Sequence, residues 1–371
     1  MNVFSSAHVT GSDWRELCDR VLDQTANAQH GQLGFIYVAE ELAAETDRII
    51  DYLREHSGVA HWVGCVGMGL CSSGRESYEQ AALSVLLTPF TNDDFRLVQG
   101  LDNAPGDWLE ANRAWRESNL ASVAVLHGNP SSQHLPQLLQ SFSDGLQGGF
   151  LIGGIAAAQQ LPTQIADRAL SEALNGVLFS GRLAISTGLS QGCSLIGQRH
   201  RITACERNVI KSIDGRPALD VLKEDIGEVL ARDLQRIGGY IFAALPIAGS
   251  DTGDYLVRNL IGVDTERGLV AIGDLVEPEQ EIQFARRDAE TAREDLVRMV
   301  KGLKQRLPGP PRGALYHSCV GRGRNLFGDN SAELRLIQEH LGEVPLSGFY
   351  ANGEISHNRL YGYTGVLTLF S

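Results

Sequence analysis

GALYHSCVGRG at 313–323, SAELRLIQEHLG at 331–342, VPLSGFYANGEI at 344–355 and TGVLTLF at 364–370 read in order as strand, helix, strand, strand. The strands are apolar runs bounded by turn residues, and the helix shows Leu334, Ile337 and Leu341 at three- and four-residue spacing. Ser331 suits an N-cap and Gly342 the position just past the helix end. The same order occurs twice upstream. It runs through LGFIYVAEE (33–41), TDRIIDYLREHSG (46–58), AHWVGCVGMG (60–69) and AALSVLLTPF (81–90). It runs again through ASVAVLHGNP (121–130), HLPQLLQSFSDGL (134–146), GGFLIGGIAAA (148–158) and GVLFSGRLAIST (176–187). Three copies of one unit predict an α/β protein of the α+β kind, with mixed sheets and quasi-repeated strand-helix-strand-strand units forming two packed regions.

Two glycine phrases punctuate these units. CVGMGLCSSG at 65–74 and CVGRGRNLFG at 319–328 share the frame C-V-G-x-G-x4-G. Dinucleotide binding needs G-x-G-x-x-G between a strand and a helix, and a P-loop needs its lysine, so neither phrase fits a nucleotide. The recurrence is expected to mark equivalent strand-end turns. Met68 in the first should pack, and Arg322 in the second should meet a ligand's charge.

Length and composition bound the function. The chain has 371 residues, 43% hydrophobic and 21% charged, with 41 glycines and a formal net charge of −13. That length calls for two domains or repeated units, and the acidic balance opposes nucleic acid and anionic membrane as partners. No signal-peptide pattern or membrane-length apolar run is present, so a cytoplasmic location is expected. Six scattered cysteines without CxxC read as free thiols. Helical periodicity is expected over 217–235 and 285–306, and a domain boundary near 232–240.

Cys319 follows His317 by two positions, so both point to one face of a strand, and a cysteine enzyme with His317 as base is one alternative. Arginines and lysine cluster in IGQRHRITACERNVIKSIDGR, with Arg199 at its start, and again around 312–324, with Arg322. Such guanidinium forks suit a carboxylate ligand. Asn352 and Glu354 sit where a strand turns, and Glu354 needs a partner, either Arg322 or a ligand amine. No hydrolase or metal motif appears. A single histidine could still ligate a haem iron.

GLSQGCSLIGQRHRITACERNVIKSIDGRPALDVL at 188–222 resembles the FIST family, together with GCVGMG (64–69), SCVGRGRNLFG (318–328) and VPLSGFYANGEI. The likeness runs from about residue 30 onward. It implies an N-terminal helical extension over 1–30, a FIST N-terminal domain over 31–235 and a FIST C-terminal domain over 236–371. It also implies a bacterial, non-enzymatic sensor that binds an amino acid or similar anionic metabolite and signals through a separate kinase or cyclase. No cofactor is expected, although some members resemble haem-binding nitric-oxide sensors. The family brings no fixed catalytic residues, so the candidate ligand site is Cys65, Gly67, Gly69, Cys193, Arg199, Cys319, Arg322, Asn352 and Glu354.

Overall fold

A computed structural model describes residues 3–26, 31–159, 161–231, 234, 237–247 and 254–371. The chain divides into two compact units, Met1–Ser190 with Arg293–Ser371, and Gln191–Ala292. Repeat 1 of the first unit runs β1 (Ser5–Thr10), α1 (Trp14–Thr25), β2 (Leu33–Ala39), α2 (Thr46–Ser57), β3 (His61–Gly67), the hairpin β4 and β5 (Gly69–Ser72, Arg75–Tyr78) and β6 (Ala82–Leu87). Repeat 2 runs β7 (Phe95–Leu101), α3 (Gly106–Ala111), α4 (Arg113–Asn119), β8 (Val123–Gly128), α5 (Leu135–Gly145), β9 (Phe150–Ile155), the hairpin β10 and β11 (Gln164–Ala166, Ala169–Leu170) and β12 (Leu174–Phe179).

Repeat 3 opens with β13 (Ile185–Ser190), and the chain then departs into the second unit. That unit holds β14 (Cys193–Glu206), β15 (Val209–Ile213), β16 (Arg216–Pro217), α6 (Ala218–Ala231), β17 (Ile241–Pro246), β18 (Tyr255–Asp264), β19 (Leu269–Ile272) and β20 (Glu281–Arg287). Repeat 3 resumes along α7 (Ala289–Arg306). It continues with β21 (Gly313–Cys319), α8 (Arg324–Phe327), α9 (Ala332–Leu341), β22 (Leu346–Ala351), the hairpin β23 and β24 (Glu354–His357, Arg359–Tyr361) and β25 (Gly365–Phe370). The expected strand-helix-strand-strand unit is thus present three times, each copy preceded by an edge strand and helix.

The three sheets share one strand order: β1-β6-β2-β3-β10-β11, β7-β12-β8-β9-β23-β24 and β13-β25-β21-β22-β4-β5. In each, the two strands flanking a crossover helix are parallel and the last strand returns antiparallel. The final two places go to a hairpin from another repeat. Repeat 1 lends its hairpin to repeat 3, repeat 3 to repeat 2, and repeat 2 to repeat 1. Gly64, Gly153 and Gly348 hold one equivalent position, opposite Ile36, Leu126 and Tyr316. A Cβ at any of the three would overlap the carbonyl oxygen of that partner, so the close approach requires glycine.

Strand alternation sends one side chain to a shared centre and the next to a helix. Phe35 and Tyr37 of β2, Val125 of β8, Leu315 of β21 and Phe349 of β22 join one buried cluster drawn from all three sheets. Outward, Leu17 and Ile49 of α1 and α2 pack on Ile36 and Val85, and Leu138 and Phe142 of α5 pack on Leu126 and Leu178.

Several expectations need correction. The N-terminal extension expected to be helical begins with a strand, β1, which forms the edge of the first sheet. The boundary expected at 235/236 lies outside the described residues, as does position 30. The two C-V-G phrases are not equivalent, since Cys65 lies on the second strand of repeat 1 and Cys319 ends the first strand of repeat 3. Met68 is exposed, not packed. Ser331 does not cap α9, because it adopts φ of 55° and its hydroxyl accepts from the backbone N–H of Glu76.

In the second unit six antiparallel strands close a ring, β14-β20-β17-β18-β19-β15, with β14 pairing to both β20 and β15. Closure removes the exposed edges that an open sheet of this size would leave. Leu219, Leu222 and Ile226 of α6 join Ile202, Ile241 and Phe284 in its core.

Candidate functional site

At the carboxyl end of β21 the chain places Arg322 entirely inside the protein. Its Nε lies 2.7 Å from Oε1 of Glu333, which is equally buried, and its Nη1 and Nη2 donate to the backbone oxygen and the hydroxyl of Ser190, at 3.4 and 3.3 Å. The guanidinium also lies 5.0 Å from the Phe327 ring centroid. Tyr316 Oη, Ser318 Oγ and the Gly323 N–H donate to the same carboxylate. Burial alone would lower the Arg322 pKa, but Glu333 and Tyr316 reverse the shift and hold it protonated. The charge expected to meet a ligand is therefore met by the protein's own glutamate.

The repeats show what this place looks like unfilled. Counting from the equivalent glycines, Asn129 of repeat 2 stands where Cys319 stands in repeat 3. Both N–H groups donate at 2.9 Å to the residue before the return strand, Ala173 and Thr364 respectively. Three residues on, Arg322 corresponds to Ser132. Here repeat 2 has a hollow of about 410 Å³, lined by Asp102 and Asn103 after β7, by Asn129 and 131–134 after β8, and by Ser171 and Ala173 before β12. Ligands in open α/β sheets commonly sit at such carboxyl strand ends.

The other predicted residues distribute as follows. Cys319 and Glu354 are close neighbours of the Arg322 network. Burial lifts the Cys319 thiol well above its ordinary value and raises Glu354 to about 8. Glu354 Oε2 accepts from the N–H and hydroxyl of Thr364, not from Arg322. Asn352 is exposed in the turn before β23, with its N–H donating to Ile155. Cys65 is buried and its thiol raised by burial; Gly67 ends β3 and bridges Ala157. A Cβ at Gly69 would press on Tyr78 and Tyr350, which makes it a packing glycine.

Cys193 and Arg199 belong to the second unit. Cys193 is buried and its carbonyl accepts from Tyr255 Oη at 2.5 Å, while Arg199 is exposed beside Glu281 at 3.3 Å. Arg201, Lys211 and Arg216 likewise each face a glutamate, so the basic stretch is a surface of ion pairs.

Sequence reasoning missed the polar centre of the first unit. Tyr37, His127 and His317, equivalent residues of the three first strands, converge fully buried with ring centroids 5.6 to 5.9 Å apart. Tyr37 Oη lies 2.9 Å from Nε2 of His317 and 3.4 Å from Nε2 of His127. Burial pushes His317 down to about 3 and His127 well below its ordinary value, so both rings are neutral. One hydroxyl proton serves one imidazole, and the other imidazole must donate to the phenol oxygen. His317 thus faces Tyr37, and with a raised thiol at Cys319 neither partner is in the charge state of an activated cysteine pair. His127 and His317 also contact the Phe349 ring, the first tilted at 46° and the second edge-on at 71°, with centroids 5.9 and 5.6 Å away. Aligning LGFIYVA, VAVLHG and GALYHSC on their shared register would have put the three in one column.

The FIST N domain model matches residues 32–216 and the FIST C domain model 218–357. The chain belongs to the FIST family. FIST domains are associated with sensing in signal transduction. Among curated proteins it is similar to two uncharacterized proteins of Mycobacterium tuberculosis, strains CDC 1551 and H37Rv, at 32% identity over 345 residues and 88% of each chain. It is also similar to an uncharacterized protein of Mycobacterium bovis, at 28% identity over 377 residues and 97% of each chain. The two FIST matches meet inside the second unit, whereas the compact units part at 190/191 and 292/293. FIST N therefore takes in most of repeat 1 and all of repeat 2, and β1 with α1 precede both matches. Among the described residues no group of three or more His, Cys, Asp or Glu could hold a metal, and no helix is long and apolar enough to cross a membrane.

Proposed function

We propose that this FIST protein is a non-catalytic small-ligand sensor whose ligand, an amino acid or similar metabolite, binds in the strand-end hollow of repeat 2. The observation that carries this reading is the contrast between repeats: the same strand end is filled by Arg322 in repeat 3 and is a polar hollow in repeat 2. Its volume lies within the range of small-molecule sites. The lining has a carboxylate, Asp102, and no lysine or arginine, which favours a ligand with a cationic group over a purely anionic metabolite. Output passes to a separate signalling protein, such as a kinase or cyclase, through a ligand-shifted population of states. Thermal unfolding of the full chain against a panel of amino acids tests the reading. A ligand at 100 times its Kd adds about 2.7 kcal/mol of stability, and Ser131→Trp, which fills the hollow, should remove the shift. No shift with any member of the panel, or a shift that survives Ser131→Trp, counts against it.

A further inference from the structure

We propose that the repeat 2 hollow receives the guanidinium group of a small molecule, which makes the sensor's ligand a guanidino compound. The inference rests on the reading of the hollow as a ligand site and adds the chemistry of its occupant. In repeat 3 the edge strand β13 ends at Ser190, whose backbone oxygen and hydroxyl both accept from the Arg322 guanidinium. In repeat 1 the edge strand β1 ends at Thr10, whose carbonyl accepts from Nη1 of Arg20 at 2.8 Å. Two of three edge strands thus finish against an arginine from elsewhere in their own repeat.

The third edge strand, β7, ends at Leu101, and Asp102 and Asn103 directly after it line the hollow. A guanidinium presents five N–H donors and no acceptor, so it needs an acceptor-rich surround, ideally with one carboxylate. Asp102 supplies the carboxylate, its Oδ1 also accepting from the Ala173 N–H at 2.9 Å, while Ser131 and Ser132 supply hydroxyl oxygens beside Asn129, whose Oδ1 accepts from the Ser131 N–H. In repeat 3 the carboxylate that meets the guanidinium is Glu333, which comes from α9 and not from the end of the edge strand.

Calorimetric titration of the full chain with L-arginine, agmatine, citrulline and L-glutamate tests this. Agmatine keeps the guanidinium without the carboxylate, and citrulline keeps the shape with a neutral urea. Arginine and agmatine should bind, citrulline at least tenfold more weakly, and Asp102→Asn should weaken arginine at least tenfold. Ser132→Arg, which supplies the group from within at the position matching Arg322, should abolish binding while the chain stays folded. Citrulline binding as tightly as arginine overturns the guanidinium assignment. Glutamate binding preferentially, in a manner lost in Ser132→Arg, overturns it too and leaves the sensor reading standing. Binding untouched by either variant, or no binding by any of the four, defeats this proposal as well.

Discussion

Arg322 and Glu333 form a fully buried pair, and deleting one partner strands the other's charge in the core. Arg322→Met should cost about 3–5 kcal/mol in urea unfolding, whereas Arg322→Met with Glu333→Leu should recover most of that loss, because the desolvation of both ions disappears. A single-variant loss below about 1 kcal/mol would show that the pair is not desolvated as described. Arg322 stood out in the sequence because a charged residue inside a glycine turn is unusual, yet its role was inverted. Its partner lies eleven positions on in the first turn of α9, where an acid ordinarily reads as a helix-start residue facing water. Tyr37 and His127 gave no local signal at all, since an aromatic or histidine in an apolar strand is usual. Only their shared register marks them.

His200 is the corresponding case at the scale of elements. It stands on β14 between Asp214, 2.7 Å from Nδ1, and Asp225 of α6, 2.9 Å from Nε2. A neutral imidazole has one N–H and cannot donate to both. The β14 bulge at Gly197, with φ of +64°, leaves room for the Asp225 carboxylate that a side chain would displace. Burial alone would lower the His200 pKa, but the two carboxylates more than offset it and raise it above 6.5. A raised folded-state value stabilises fully below 6.5 and is lost as pH climbs through that value. The grip of α6 on the ring should therefore weaken toward alkaline pH. Asp214, held low by the same histidine, produces a separate loss on the acid side, below 3.8. Imidazole ¹⁵N shifts across a pH titration report the His200 midpoint. An elevated midpoint that falls in Asp225→Asn supports the arrangement; a midpoint at or below 6.5 refutes it. In the sequence His200 was one cation in a basic run, because both acids come from other elements, 14 and 25 residues away.

For the whole molecule, the three units were legible from the order of their apolar runs, since each copy carries its own strands and crossover helix. The exchange of hairpins was not. The segments that pair, Gly69–Ser72 with β22 and Glu354–His357 with β9, are short and lie some 200 or more residues from their partners, beyond any periodicity. The second unit, inserted after β13, also broke the third copy in two and hid the equivalence of its edge strand with β1 and β7. The C-V-G frame pointed to Cys319 and Arg322, a filled strand end, while the open one, at Asn129 and Ser132, carries no unusual residue. Backbone amide shifts of the full chain titrated with L-arginine test this account most directly. The largest changes are expected at 102–103, 129–134 and 171–173, with little at 319–323; changes concentrated at 319–323, or in residues 191–292, would contradict it.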